Sequence, residues 1–218
     1  MVVVLMVALV RDQRKLIGMV LAVFAVVLAW SANQPHDWFT WVLEAAPALL
    51  GLVILASTYR RFRFTNLVYL LIGGHAVILL IGAHYTYAEV PAFNWLRDQY
   101  HLSRNHYDRL GHLAQGFVPA MIVREILLRT ASIRRGALLI VLVLLICLGI
   151  SAAYELFEWI VARATGAAAD AFLGSQGDPW DTQWDMACAL IGASISLLLL
   201  SPIHDRQLAR ASRQNDLR

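Results

Sequence analysis

Apolar residues run along this chain in long blocks separated by short polar clusters, without the strict alternation of a half-buried strand. The blocks cover about 16–32, 38–58, 65–86, 107–130, 136–162 and 182–201, each near the ~20 residues a helix needs to cross a bilayer. They predict an all-α fold, a polytopic membrane bundle of about six transmembrane helices. The fourth block is the weakest. Between Arg109 and Arg124 it carries His112, Gln115 and Pro119, so it is expected to be shielded by the other helices. No repeat, low-complexity stretch or soluble domain interrupts the pattern. The expected organisation is one transmembrane domain over 16–201, a short N-terminal extension at 1–15 and a basic tail at 202–218. Met1–Val10 is apolar but too short to span, and its basic cluster Arg11, Arg14 and Lys15 follows it, the reverse of a signal peptide. It reads as an interfacial extension or a misassigned start.

Composition agrees: 59% of the 218 residues are hydrophobic and 15% charged, against roughly 25% charged in soluble domains. A net charge of +3 does not imply a nucleic-acid partner here, because the basic residues sit between the apolar blocks as topology signals. Cys147 and Cys188 both fall inside apolar blocks and read as buried free thiols.

The charges also predict orientation. Arg11, Arg14, Lys15, Arg60, Arg61, Arg63, Arg124, Arg129, Arg134, Arg135, Arg206, Arg210, Arg213 and Arg218 fall on one side of an alternating six-span path. Only Arg97, Arg104, Arg109 and Arg163 fall on the other. The positive-inside rule then puts both termini in the cytoplasm. Of 15 acidic residues, only Asp12, Glu125, Asp205 and Asp216 share the basic side. All seven tryptophans lie opposite, whereas simple interfacial anchoring would populate two rims.

Candidate chemistry gathers at that outer side. Asp108, His112 and Gln115 are four and three residues apart and share one helix stripe; so do Glu155 and Glu158, and Asp181 and Asp185. Glu44, His84, Tyr85, Tyr87, Asn105, His106 and Trp184 lie at the same level and, with Gln115, are candidates for substrate binding. Ionisable groups at a helix centre cost about 2.5–3.5 kcal/mol to insert, so they face a partner or a wet cavity. Carboxylates and imidazoles without a cysteine cluster suit Mg, Mn, Ca or Zn, which makes Asp108, His112, Glu155, Glu158, Asp181 and Asp185 candidate metal ligands. The same six could act as general acids and bases. A structural reading uses the same groups: Asp108 pairs with Arg104 or Arg109, Glu158 with Arg163, and Asp178 and Asp181 cap a helix. His75 reads as a helix-packing polar contact and His204 as part of a solvated tail. No nucleophile elbow, zincin motif, P-loop or dinucleotide fingerprint is present, nor are paired histidines for haem.

The strings 84–91, 94–97, 103–109 and 111–117, the pairs Tyr154-Glu155 and Glu158-Trp159, and Gly177-Asp178 with Trp180 to Met186 resemble the bacterial inner-membrane family typified by YjdF. The resemblance runs from about Trp30 to the tail; it implies a multi-pass inner-membrane location and supplies no activity. Asp108 with His112, Glu155 or Glu158, and Asp181 or Asp185 are also similar to the pattern of VanZ-like membrane proteins. Here, however, neither the Gln nor the Arg of that pattern follows the Glu, and the Asn after the last Asp is replaced. The leading expectation is a site for a lipid or lipid-linked cell-envelope precursor, aided by a divalent cation and surrounded by membrane lipids. The alternatives are a transporter for protons, cations or small solutes, and a non-catalytic assembly or interaction protein.

Overall fold

Asp37 shows how the sequence starts its helices: the side chain accepts the backbone N–H of Thr40 at 2.7 Å, satisfying a donor of the first turn. Asp12 does the same for Arg14 at 2.9 Å. The structure is a computed structural model that describes residues 12–216, so residues 1–11 of the expected extension at 1–15 lie outside the described residues. It contains α1 (Gln13–Ser31), α2 (Trp38–Thr58), α3 (Asn66–Tyr85), α4 (Pro91–Tyr100), α5 (Tyr107–Arg129), α6 (Ala137–Thr165) and α7 (Asp181–Asp216). Short turns at Tyr87–Glu89, Gly166–Ala169 and Asp170–Leu173 sit in the connections. Both cysteines are free, Cys147 buried and Cys188 half-buried.

Among the described residues, α1, α2, α3, α6 and the Asp181–Ala211 part of α7 are long and apolar enough to cross a membrane. Helix α5 has 23 residues, about 34 Å at 1.5 Å per residue, which is sufficient length. Its charges keep it from qualifying by composition. The expected six spans are therefore five by length and apolarity, with α5 as their polar centre. It packs on α3, α6 and α7, and eleven of its 23 residues are buried. The expected shielding is present. Helix α4 is an element that hydropathy does not reveal. Pro91 opens it at a position suited to proline, none of its residues is buried, and Trp95 and Tyr100 are exposed.

Helices α5 and α7 meet backbone to backbone. A Cβ at Gly116 would overlap the carbonyl of Ala189, and one at Gly192 would overlap the carbonyl of Leu113. Small residues allow such close approach between helices that lipid cannot drive together. Toward the middle of the bundle Val68, Ala120, Met121, Val143, Cys147 and Ala193 form an apolar core.

A polar network closes the basic end. Glu125 is fully buried and accepts from Thr65 N and Oγ1, from Arg129 at 2.6 Å and from His204 Nε2 at 3.0 Å. Arg124 donates to His204 Nδ1 at 3.0 Å and to Asp205 at 2.8 Å. With Nδ1 accepting, Nε2 carries the proton toward Glu125. This corrects the expectation for His204, which is fully buried rather than solvated. The cause is α7: it continues through Pro202 to Asp216 and carries His204 against α5.

Candidate metal centre at the acidic end

The start of α5 brings Asp108 and His112 to one face, and the start of α7 brings Asp181 and Asp185 opposite them. Asp108, His112 and Asp185 are all buried, and each offers a ligand atom within 4.8 Å of the other two. Helix α6 adds Glu155, whose Oε1 is 3.7 Å from His112 Nε2; Asp108 Oδ1 is 3.6 Å from the same nitrogen. These separations are too long for hydrogen bonds. Two ligands held ~2.1 Å from one tetrahedral ion would stand roughly 3.4 Å apart, close to what is seen. On its other side His112 Nδ1 is 2.9 Å from Gln115 Oε1. That acceptor fixes the proton on Nδ1 and leaves the Nε2 lone pair toward the carboxylates.

Two buried atoms sharpen the fit to a cation. Asp185 Oδ1 and Glu155 Oε1 have no hydrogen-bond partner. A buried carboxylate oxygen without a donor is costly.

The same end answers the structural reading in part. Arg104 is buried, forms a close ion pair with Asp181, lies 3.4 Å from Asp108 and donates to Gly174 O at 3.0 Å. Gly174 presents that carbonyl from a left-handed turn, φ +59°, a backbone conformation that favours glycine, with Asp108 at ordinary contact distance. Arg109 pairs with Asp178 at 2.6 Å and lies 5.2 Å over the Trp184 ring. The Trp180 N–H and the Arg109 guanidinium hold the Asp178 carboxyl below its usual range. Arginine thus occupies Asp178 and Asp181 and leaves Asp185 open. Six carboxylates (Asp108, Glu155, Glu158, Asp178, Asp181, Asp185) face two guanidiniums, and the surplus calls for a cation or protons.

The fold and this geometry can be compared with known proteins. The family model described as predicted membrane protein (DUF2238) matches residues 16–206. The chain belongs to this family. It is 47% identical over 184 residues to the inner membrane protein YjdF of Escherichia coli (strain K12), covering 84% of this chain and 88% of that protein. No solved structure matches. The membership agrees with a multi-pass membrane bundle and with the resemblance drawn from the motif strings.

The remaining candidate residues of this DUF2238 member divide into groups. Glu158 is buried one turn beyond Glu155, and no ion pair to Arg163 is formed among the described residues. Gln115 and Tyr87 line a cavity with His112. Glu44 is fully buried and accepts from Thr86 Oγ1 at 3.3 Å and Tyr87 N at 3.4 Å, holding the corner after α3. Asn105 is a buried tie: it donates to Val90 O and Asn94 Oδ1 and accepts from Tyr107 N at the start of α5. His84 turns to α1, with Nδ1 3.1 Å from Ser31 O and its ring 4.3 Å from Trp30; Tyr85 packs edge-on to both rings. His106 precedes α5, where burial and then Arg109 and Arg104 lower its pKa. Trp184 is half exposed beneath Arg109.

Arg104 was visible in sequence only as one possible partner for Asp108; the i, i+4 spacing is the signal that marks it. The expected packing contact of His75 is not formed through Nε2, which is buried and unpartnered. No local signal identifies the contribution of Gly174.

Proposed function

We propose that Asp108, His112 and Asp185, with Glu155 beside them, bind a divalent cation at the outer face of the bacterial inner membrane. There the protein binds, hydrolyses or transfers a lipid or a lipid-linked cell-envelope precursor. The observation that carries this reading is the convergence of three buried ligands whose imidazole is already oriented by Gln115. Mn or Zn fits this mixed set most directly, with Mg and Ca the harder alternatives. The cation supplies Lewis acidity toward a phosphoryl or carbonyl oxygen. Glu155 Oε1, free of hydrogen bonds, is placed to accept a proton from an attacking hydroxyl. Arg104 neutralises Asp181 and keeps it from competing for the cation.

The basic clusters support the outward orientation, with both termini in the cytoplasm. The apolar core between the two polar ends argues against a solute path: Val68, Ala120, Met121 and Val143 separate the carboxylates from Arg124 and Glu125.

Metal analysis of the purified full chain tests the reading. About one divalent ion per chain is expected in the wild type, and loss of it in Asp108→Asn and Asp185→Asn. A metal-free wild type whose melting temperature ignores added Mn, Zn, Mg and Ca sinks it. For orientation, cysteines placed at exposed Gln99 and Arg60, in a background with Cys147 and Cys188 changed to Ser, should differ in intact cells. An impermeant maleimide should label only the former; the reverse pattern moves the site to the cytoplasm.

A further inference from the structure

Beneath the carboxylate cluster lies a cavity of about 60 Å³, bounded by side chains of α2, α3, α5 and α6. His112 lines the cavity and is also a candidate metal ligand, so the cavity adjoins that centre through its imidazole. His75 Nε2 and Tyr87 Oη, which border it, are buried and have no hydrogen-bond partner. Such groups cost about 1–3 kcal/mol each unless a ligand or water satisfies them. The rest of the wall is largely apolar. That is poor lodging for water alone, which needs two to four polar partners per molecule.

Depth and access narrow the ligand. His75 stands ten residues before the end of α3, about 15 Å below the acidic end and therefore at hydrocarbon depth. Pro47 of α2 and Tyr154 of α6 both border the cavity and are only half-buried. Helix α2 packs on α3, while α6 packs on α5 and α7, so the two flank a floor made by α3 and α5. A molecule lying along that floor has its polar end at the carboxylates and its apolar end in the bilayer. Gly111 marks the free space: it is buried, yet a Cβ built there meets nothing within 4 Å.

We propose that this cavity binds the neck of a membrane phospholipid that enters sideways between α2 and α6. Tyr87 donates its hydroxyl proton to an ester carbonyl, and His75, in the tautomer with its proton on Nε2, donates to a second neck oxygen. The phosphate reaches the Asp108–His112–Asp185 centre, and the acyl chain leaves past Pro47 and Tyr154. Sixty cubic ångströms, counted as room for the centres of water-sized groups, suits this small segment at roughly 10–15 Å³ for each group. The headgroup half of the proposal rests on the metal-site reading; the neck half does not.

The test uses the full chain in nanodiscs of phosphatidylethanolamine and phosphatidylglycerol, doped with a phospholipid carrying a diazirine near its ester. Adducts mapped by mass spectrometry should appear at 111–115, His75 and Tyr87, as well as on lipid-facing Val53, Ile54 and Leu198. Gly111→Leu fills the open space and improves helix propensity. It should cut the cavity adducts at least tenfold while leaving the lipid-facing adducts and the metal content unchanged. Adducts confined to lipid-facing residues in the wild type, or undiminished cavity adducts in Gly111→Leu, overturn the proposal. If Gly111→Leu lowers the melting temperature, Tyr87→Phe takes its place, with several-fold weaker cavity labelling expected and undiminished labelling again overturning it. Cavity adducts in a metal-free protein overturn the metal reading alone. Bound metal without cavity adducts overturns this proposal alone.

Discussion

Gln115 Oε1 lies 2.9 Å from His112 Nδ1, and this bond decides which imidazole nitrogen faces the carboxylates. Replacing Gln115 with Leu removes the acceptor and lets the ring rotate or change tautomer. Loss of such an outer partner typically weakens metal binding about 10–100-fold. Competition with a chelator of known affinity should show that drop for Mn or Zn; an unchanged Kd would refute the orienting role.

Arg104 sits at 4% exposure between Asp108 and Asp181. Truncation to Ala leaves buried carboxylates without their countercharge, at a cost of about 3–5 kcal/mol. The expected result is a clear fall in Tm in detergent. Arg109→Ala, whose partner Asp178 lies at the exposed edge, should lower Tm far less. Equal effects would contradict the burial argument.

Gly116 and Gly192 leave no room for side chains where α5 crosses α7. Gly116→Ala forces the helices apart and should destabilise by about 1–3 kcal/mol despite its better helix propensity. Gly51→Ala, in α2 with nothing near its Cβ, should hold or raise Tm. Thermal unfolding of the two variants side by side checks the contrast.

Asp37 caps α2, and the Thr40 N–H holds its carboxyl below the usual 3.8. Because the folded value is the lower one, the stabilisation is complete above the unfolded value and fades as pH falls through the folded value. Asp37→Ala should cost about 1 kcal/mol at neutral pH. Asp37→Asn should keep most of the cap and lose this pH dependence, read from Tm between pH 6 and pH 3.

The apolar blocks made the spans legible, and helical spacing made the stripe of Asp108, His112 and Gln115 legible, because both depend on local periodicity. The choice between Asp181 and Asp185 was not. They are one turn apart at the start of α7, and Arg104, 77 residues away, claims Asp181 by tertiary closure. His204 was misplaced for a related reason. Pro202 suggests a helix end, yet packing on α5 carries α7 past it. The hidden helix α4 follows from its short, exposed and mixed sequence, which hydropathy passes over.

The glycine crossing has a consequence for how this molecule can move. Gly116 follows His112 by one turn, and Gly192 follows Asp185 by nearly two, so contact and ligands share the same stripes of α5 and α7. A backbone contact has no rotamers with which to absorb slippage, and a one-residue shift would turn Asp185 about 100° away from His112. The α5–α7 pair is therefore the fixed jaw of the protein. Whatever yields to admit a guest must belong to α2, α6 or the turn at Asp170–Leu173.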